Sequence, residues 1–222
     1  MCDHYHLPQH VCGVCGHCSA EAASTSHGSG FGGGVMGPYP SEILGDARPM
    51  DYPGSSGPAS GSGEAHAAVG LFLGGYDHVA RPEFMKSLKI LAVVNTVGPT
   101  CANLYRNSFA YFTCTPRPMP GQNAGGQGGL DLAEACLLID TAIRTAASRP
   151  PVHEDVKPNV LVHCMSGVSR GPAAVVAFLM QRYGLGRDDA IAHVLARHPA
   201  TKISRHLAQE LVEFEARLRS AT

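Results

Sequence analysis

The sequence predicts an α/β fold, a central and mainly parallel sheet flanked by helices, behind a disordered N-terminal region. Three observations carry this expectation. After Ala67, short apolar runs rich in Val, Ile and Leu alternate with longer segments of helical periodicity, the pattern of strands joined by helical crossovers. Those runs are apolar throughout rather than alternating, as expected of strands covered on both faces. Before Ala67 the composition changes: residues 24–66 are dominated by Gly, Ser, Pro and Ala ("STSHGSGFGGGVMGPYP", "DYPGSSGPASGSG"), with too few large side chains to offset chain entropy. The chain therefore divides into a Cys/His-rich tail (1–23), a disordered Gly/Ser/Pro-rich linker (24–66) and a folded domain (67–222).

Within the domain, "VGLFLGGY" (69–76) is the first strand, and Asp77 caps a short helix through "ARPEFMKSL" with Pro82 in its first turn. "ILAVVNTVG" (90–98) and "FAYFTCT" (109–115) are buried strands. A loop rich in Gly and Pro spans 116–129. The following segment places Leu132, Cys136, Ile139 and Ile143 on one face of a long amphipathic helix, with Asp131 and Glu134 spaced as a capping box at its start. A second surface loop, "PPVHEDVKP", leads to the strand "NVLVH", and three helical patterns close the chain: 171–183 ending at Gly184, 187–198 ending before Pro199, and 204–219.

The chain has 222 residues, enough for one well-buried domain of ordinary size. A formal net charge of -1 and a pI near 6.8 predict no general attraction to nucleic acid or anionic membranes. No run approaches the roughly 18 apolar residues of a membrane span, and the first residues lack the charged-then-apolar plan of a signal peptide. The expectation is a soluble, cytoplasmic protein. Of the eight cysteines, four crowd into residues 2–18 and the others sit singly in apolar segments, which favours reduced thiols over a disulfide framework.

The stretch "VLVHCMSGVSRGPAAVV" (160–176) carries the chemistry. A loop between a strand and a helix N-terminus aims several backbone N–H groups at one point, which the helix dipole makes attractive to an anion such as phosphate. Cys164 at the base of that loop feels the same field, and such fields favour thiolate, the nucleophilic form. Arg170 offers a planar fork that matches two phosphate oxygens. Gly167 lets the loop curl, and Pro172 suits the first turn of the helix. In-line attack by Cys164 on phosphorus, giving a phosphocysteine that water hydrolyses, would need no metal or other cofactor, because loop amides and Arg170 stabilise the transferring phosphoryl.

"HCMSGVSR" (163–170) resembles the signature loop of the dual-specificity protein phosphatases, within the protein tyrosine phosphatase superfamily. The similarity extends to "LFLGG" (71–75), "ILAVVNTV" and "YFTCT", which are similar to the family's first three strands, and to "ISRHLAQELVEFE" (203–215), which resembles its closing helix; it covers about residues 67–219. The resemblance implies a protein tyrosine phosphatase-like domain over 67–222, with Cys164 as nucleophile and Arg170 as phosphate clamp. It implies that Met165, Ser166, Gly167, Val168 and Ser169 bind the substrate phosphate through the loop, and that His163 tunes the thiolate; a histidine ending a strand is equally read as a satisfied core residue. Phosphorylated proteins are the implied partners, since the loop lacks the Lys and Arg with which lipid-directed relatives meet additional phosphates. A shallow pocket would admit phosphoserine and phosphothreonine along with phosphotyrosine.

The resemblance breaks at two places. The family's general acid, an aspartate a few residues after the third strand, would fall near Arg117 or Pro118, where "PRPMPGQNAGGQGG" holds no carboxylate. The nearest, Asp131, is better read as a helix cap, and Glu154 and Asp155 as solvated loop residues. After Arg170, most relatives carry Ser or Thr, whose hydroxyl eases departure of the thiolate from the phosphoenzyme; this chain has Gly171. "RGP" also resembles the rhodanese-fold cell-cycle phosphatases, although the flanking matches favour the dual-specificity group. Two readings follow: an active phosphatase, or a phosphoprotein-binding pseudophosphatase with little turnover.

"CDHYHLPQHVCGVCGHC" contains Cys12-x-x-Cys15-Gly, which is similar to half of a zinc knuckle. Cys18, His17, His10, His6 or Cys2 would have to complete it. The other reading is a flexible tail with incidental metal affinity.

Overall fold

The computed structural model describes residues 40–45, 69–115, 117, 129–148 and 158–220. The Cys/His cluster at 2–18 and the acidic pair Glu154 and Asp155 lie outside them.

Five strands form one sheet: β1 (Ser41–Leu44), β2 (Gly70–Gly75), β3 (Ile90–Asn95), β4 (Ala110–Thr113) and β5 (Asn159–Cys164), in the order β1-β2-β5-β3-β4. The last four are mutually parallel, and β1 alone runs antiparallel, on the β2 edge. The sheet is thus mainly parallel, as the apolar runs predict. The helices are α1 (Tyr76–Val79), α2 (Pro82–Ser87), α3 (Leu132–Ser148), α4 (Arg170–Tyr183), α5 (Arg187–Arg197) and α6 (Arg205–Ser220).

Alternation along each strand feeds two cores. Leu71, Leu73, Ala92, Val94, Val160 and Val162 face α3 and α4, whereas Phe72, Ile90, Val93 and Leu161 face Val79 and Met85 from α1 and α2. Burial on both faces explains why these strands carry no polar alternation in the sequence. Truncating a fully buried Leu such as Leu73 or Leu161 would cost about 2–5 kcal/mol. Helix α4 is the most enclosed element, buried from Gly171 to Met180. It ends on Gly184 in the left-handed region at φ 66°, whose N–H returns to the Met180 carbonyl at 3.1 Å.

Three local expectations are corrected. Strand β1 falls inside the stretch 24–66, where composition predicts linker: Ser41 pairs with Leu73 and Leu44 with Leu71. "SEIL" forms a strand because Ile43 buries its side chain in the core, an anchoring that local composition does not reveal. The helix expected from Asp77 onward is two helices, because the residue before a proline avoids the helical region. Arg81 sits at φ -112°, ψ 83°, and Pro82 begins α2. Asp77 is accordingly not a cap; Gly75 holds that position, and His78 Nδ1 accepts its N–H at 3.0 Å.

Candidate functional site

The parallel strands place their carboxyl ends together, and β5 ends there at His163-Cys164, flanked by Gly74-Gly75 of β2 and by Asn95 at the end of β3. This is where ligands bind in open α/β sheets. Between Cys164 and the start of α4 at Arg170 runs a loop of six backbone units whose hydrogen bonds explain its shape.

Gly167, at φ 72°, turns the loop back on itself so that its N–H donates to Cys164 Sγ at 3.2 Å. That bond favours negative charge on sulfur. Four of the neighbouring carbonyls are held from outside the loop. His163 Nδ1 bonds Cys164 O at 3.2 Å, the Tyr76 N–H donates to Met165 O at 3.0 Å, His198 Nε2 bonds Gly167 O at 3.0 Å, and the Lys202 N–H donates to Val168 O at 2.8 Å. In a planar trans peptide the N–H points opposite to the C=O. Drawing these carbonyls outward therefore turns the N–H groups of Met165, Ser166, Val168 and Ser169 the other way. Together with the Gly167 N–H these donors lie just before the N-terminus of α4, a place where backbone N–H groups favour an anion.

Both histidines have assignable tautomers, because a carbonyl only accepts. His163 carries its proton on Nδ1, and His198 carries one on Nε2 while Nδ1 accepts from Ser41 Oγ at 2.7 Å. Burial pushes His163 down to about 4, so it is neutral at physiological pH. Burial likewise lowers His198. His163 thus acts on the loop backbone rather than on sulfur; its Nε2 makes no hydrogen bond and is buried. Thr96 secures the same residue from the other side, its N–H and Oγ both donating to His163 O at 3.0 and 2.8 Å.

Cys164 itself is buried, 3% exposed, whereas Met165 stands out at 41%. Arg170 is the first residue of α4, and its charge reaches the thiol of Cys101 on the facing loop. Cys101 Sγ lies 3.8 Å from Met165 Sδ, held there because the buried Asn95 side chain donates to the Cys101 carbonyl at 2.9 Å. Burial, with the negative charge of Cys164 adding to it, pushes the Cys101 thiol up to about 11. Ser169 precedes α4 and its Oγ accepts the Ser204 N–H at 3.0 Å, so the hydroxyl is tied to the start of α6.

Asp131 is engaged elsewhere. Its Oδ1 accepts the N–H groups of Ala133 and Glu134 at the start of α3, and its Oδ2 accepts from Arg117. Glu134 does not close the expected capping box; its carboxylate accepts the N–H and Oγ–H of Thr115 at 3.0 and 2.8 Å, tying α3 to the end of β4. Of Arg117 and Pro118, near which the family's acid would fall, Arg117 is described and is paired backbone to backbone with Gly129.

A strand-end cysteine under a row of inward amides, followed by an arginine at a helix N-terminus, defines the phosphate-loop class of cysteine-nucleophile folds. The chain belongs to the dual specificity phosphatase family: the family model for the dual specificity phosphatase catalytic domain matches residues 71–217. The chain is similar to the "Protein-tyrosine-phosphatase IBR5" of Arabidopsis thaliana, with 43% identity over 145 residues, 65% of this chain and 48% of that protein. It is also similar to the "Dual specificity protein phosphatase Mpk3" of Drosophila melanogaster, with 32% identity over 151 residues, 67% of this chain and 33% of that protein. This chain thus spans about half of the first relative's length and a third of the second's. The fold is like that of human DUSP28, with a TM-score of 0.53 at 21% identity, covering 68% of this chain and 95% of that one.

The residues read from the sequence as the loop lie between β5 and α4, and what holds that loop was not read. Thr96, Tyr76, Ser41, His198 and Lys202 act on the loop across long sequence distances, three of them through backbone groups that no motif records. The available signal was a histidine directly before Pro199 at a helix end, which by itself distinguishes nothing.

Proposed function

We propose that this protein hydrolyses phosphotyrosine, and with it phosphoserine and phosphothreonine, in cytoplasmic phosphoproteins. The observation that carries the reading is the Gly167 N–H on Cys164 Sγ, within a loop four of whose carbonyls are held from outside it. The substrate phosphate lies in the amide row with Arg170 gripping two of its oxygens. Cys164 Sγ attacks phosphorus in line, the P–O ester bond breaks, and its electron pair leaves with the substrate oxygen, which takes a proton from water. Water then attacks the phosphocysteine, the P–S bond breaks, and the thiolate returns as phosphate departs. Amides that already face the transferring oxygens need no reorganisation during the reaction, which is how preorganised donors lower a barrier. Met165, Ser166, Val168 and Ser169 contribute through their backbones, and His163 acts by fixing the first peptide of the loop. The loop offers no basic side chain beyond Arg170, which supports protein over inositol-lipid substrates. The free thiols of Cys101, Cys114, Cys136 and Cys164 support a reducing compartment. Zinc held by the N-terminal cysteines and histidines is a separate proposal, tested by metal content of the full chain.

The engagement of Asp131 and the Gly171 after Arg170 favour a second reading, a phosphoprotein-binding domain with little turnover. Hydrolysis of an aryl phosphate by the wild type and by Cys164→Ser separates the two. Activity abolished by the substitution supports catalysis. Equal inactivity of both proteins, with phosphopeptide binding retained, leaves the binding domain.

A further inference from the structure

We propose that Ser41 and His198 form a positioning relay for the active-site loop, so that β1, although it lies within the stretch read as linker, is a working part of the catalytic domain. The proposal rests on Cys164 being the nucleophile. The chain of donors is continuous. Ser41 Oγ–H donates to His198 Nδ1 at 2.7 Å, His198 Nε2–H donates to Gly167 O at 3.0 Å, and the Gly167 N–H donates to Cys164 Sγ at 3.2 Å. Gly167 therefore meets the relay on one side and the sulfur on the other. Its carbonyl also fixes the next peptide plane, so the same bond sets the direction of the Val168 N–H.

Ser41 has two roles in this arrangement. Accepting its hydroxyl proton keeps His198 Nδ1 unprotonated, which leaves the ring proton on Nε2 where Gly167 O needs it. It also stops the ring from flipping, since the reversed ring would set a carbon against each partner. The ring bonds this serine and the Gly167 carbonyl and lies near His78, and burial favours its neutral form, so the relay is one of hydrogen-bonding dipoles.

Strand β1 does not depend on Ser41 for its place. Ile43 is 1% exposed in the main core, Ile43 O accepts from His193 Nε2 at 3.1 Å on α5, and the strand pairs with β2. The connection from β1 to β2 covers residues 45–69, whereas a hairpin loop commonly takes about 2–5 residues. The strand is joined to the sheet by pairing and side-chain contacts, and through Ser41 and then His198 it reaches the loop that holds Cys164.

The test compares wild type, Ser41→Ala, Ser41→Thr and His198→Gln in the full chain. Three quantities are measured: the alkylation rate of Cys164 at pH 6 by iodoacetate and by neutral iodoacetamide, kcat and KM on an aryl phosphate, and Tm. Ser41→Ala is expected to slow iodoacetate alkylation and kcat together by about threefold to tenfold, the rate equivalent of one ordinary hydrogen bond, with KM little changed. The preference for the anionic reagent should fall with it, because the Val168 amide has lost its aim. Ser41→Thr, which keeps the hydroxyl, restores both; His198→Gln, which keeps a donor to Gly167 O, falls between. A Ser41→Ala protein that alkylates like wild type with the same reagent preference overturns the relay, whatever its Tm. The phosphatase reading fails separately, if the wild type does not hydrolyse the ester or Cys164→Ser does, and the alkylation comparison still decides the relay in that event.

Discussion

Asp131 Oδ2 accepts a hydrogen bond from Arg117 Nη2 at 2.8 Å, which joins the two ends of the 117–131 segment, where a general acid is expected. Burial alone would raise the Asp131 carboxyl, but the Glu134 N–H, the Arg117 guanidinium and the Ala133 N–H outweigh it and hold the group below the ordinary carboxylate range. A carboxylate kept ionised in this way is a poor proton donor near neutral pH. Asp131→Asn should leave kcat/KM on an aryl phosphate within about twofold and the alkaline limb of its pH profile unchanged, whereas loss of a true general acid costs about 10²- to 10⁴-fold. Asp131→Ala should lower stability by about 1 kcal/mol through loss of the α3 cap, read by urea denaturation. A collapse of the alkaline limb in Asp131→Asn would return the residue to the mechanism.

Gly171 follows Arg170 where a hydroxyl residue would assist release of sulfur. A Cβ built there lies 3.6 Å from Cys164 Sγ and 3.0 Å from Leu73 Cδ1. The second contact is tight, and the fully buried Leu73 methyl must give way slightly to admit a side chain. A serine hydroxyl at this position would therefore come within hydrogen-bonding reach of the departing sulfur. Gly171→Ser should accelerate breakdown of the phosphoenzyme and raise kcat, and exchanging glycine for a better helix former should offset part of the Leu73 crowding. Rapid-quench measurement of phosphoenzyme during turnover checks it: the variant should accumulate less than wild type, and equal accumulation would place the slow step elsewhere.

The alternation of apolar runs and amphipathic segments made the parallel sheet legible, because burial on both faces is a compositional property of each strand. The loop was legible for a related reason: cysteine, glycine and arginine each do something there that few other residues can. Strand β1 was not legible, since Ile43 is a single core residue in a stretch of otherwise weak signal, and its partner strand lies beyond residue 69. The α1–α2 break could have been read from Arg81-Pro82. The scaffold of the loop could not, because donors such as the Tyr76 and Lys202 N–H groups are common to nearly every residue and are selected only by tertiary placement.

Thiol chemistry offers a check that needs no substrate. Burial pushes Cys114 up to about 12 and Cys136 higher still, and Cys101 is pushed up to about 11. None of the three is a thiolate near neutral pH, and thiolate fraction governs alkylation. Among the described cysteines, a limiting dose of iodoacetamide at pH 7 should therefore label Cys164 first, as read by peptide mass mapping. Labelling of Cys101 ahead of Cys164 would mean that the Gly167 N–H does not favour charge on sulfur.

The pH dependence of stability follows from His163. Its folded-state value of about 4 lies below the ordinary 6.5, because burial disfavours the charged ring. Above about 6.5 neither state binds the proton, and the contribution is fully present. As pH falls from there toward 4, the unfolded chain takes up a proton that the folded one refuses, so stability drops; below about 4 both states are protonated and the loss stops. The full loss is on the order of 3 kcal/mol for a shift of this size, and the lowered His198 adds to it in the same direction. Urea midpoints at pH 7, 6, 5 and 4 measure the slope. In His163→Asn the amide keeps a donor for the Cys164 carbonyl and does not titrate, so its slope should be shallower than that of wild type, and an equal slope would mean that His163 is not the titrating group.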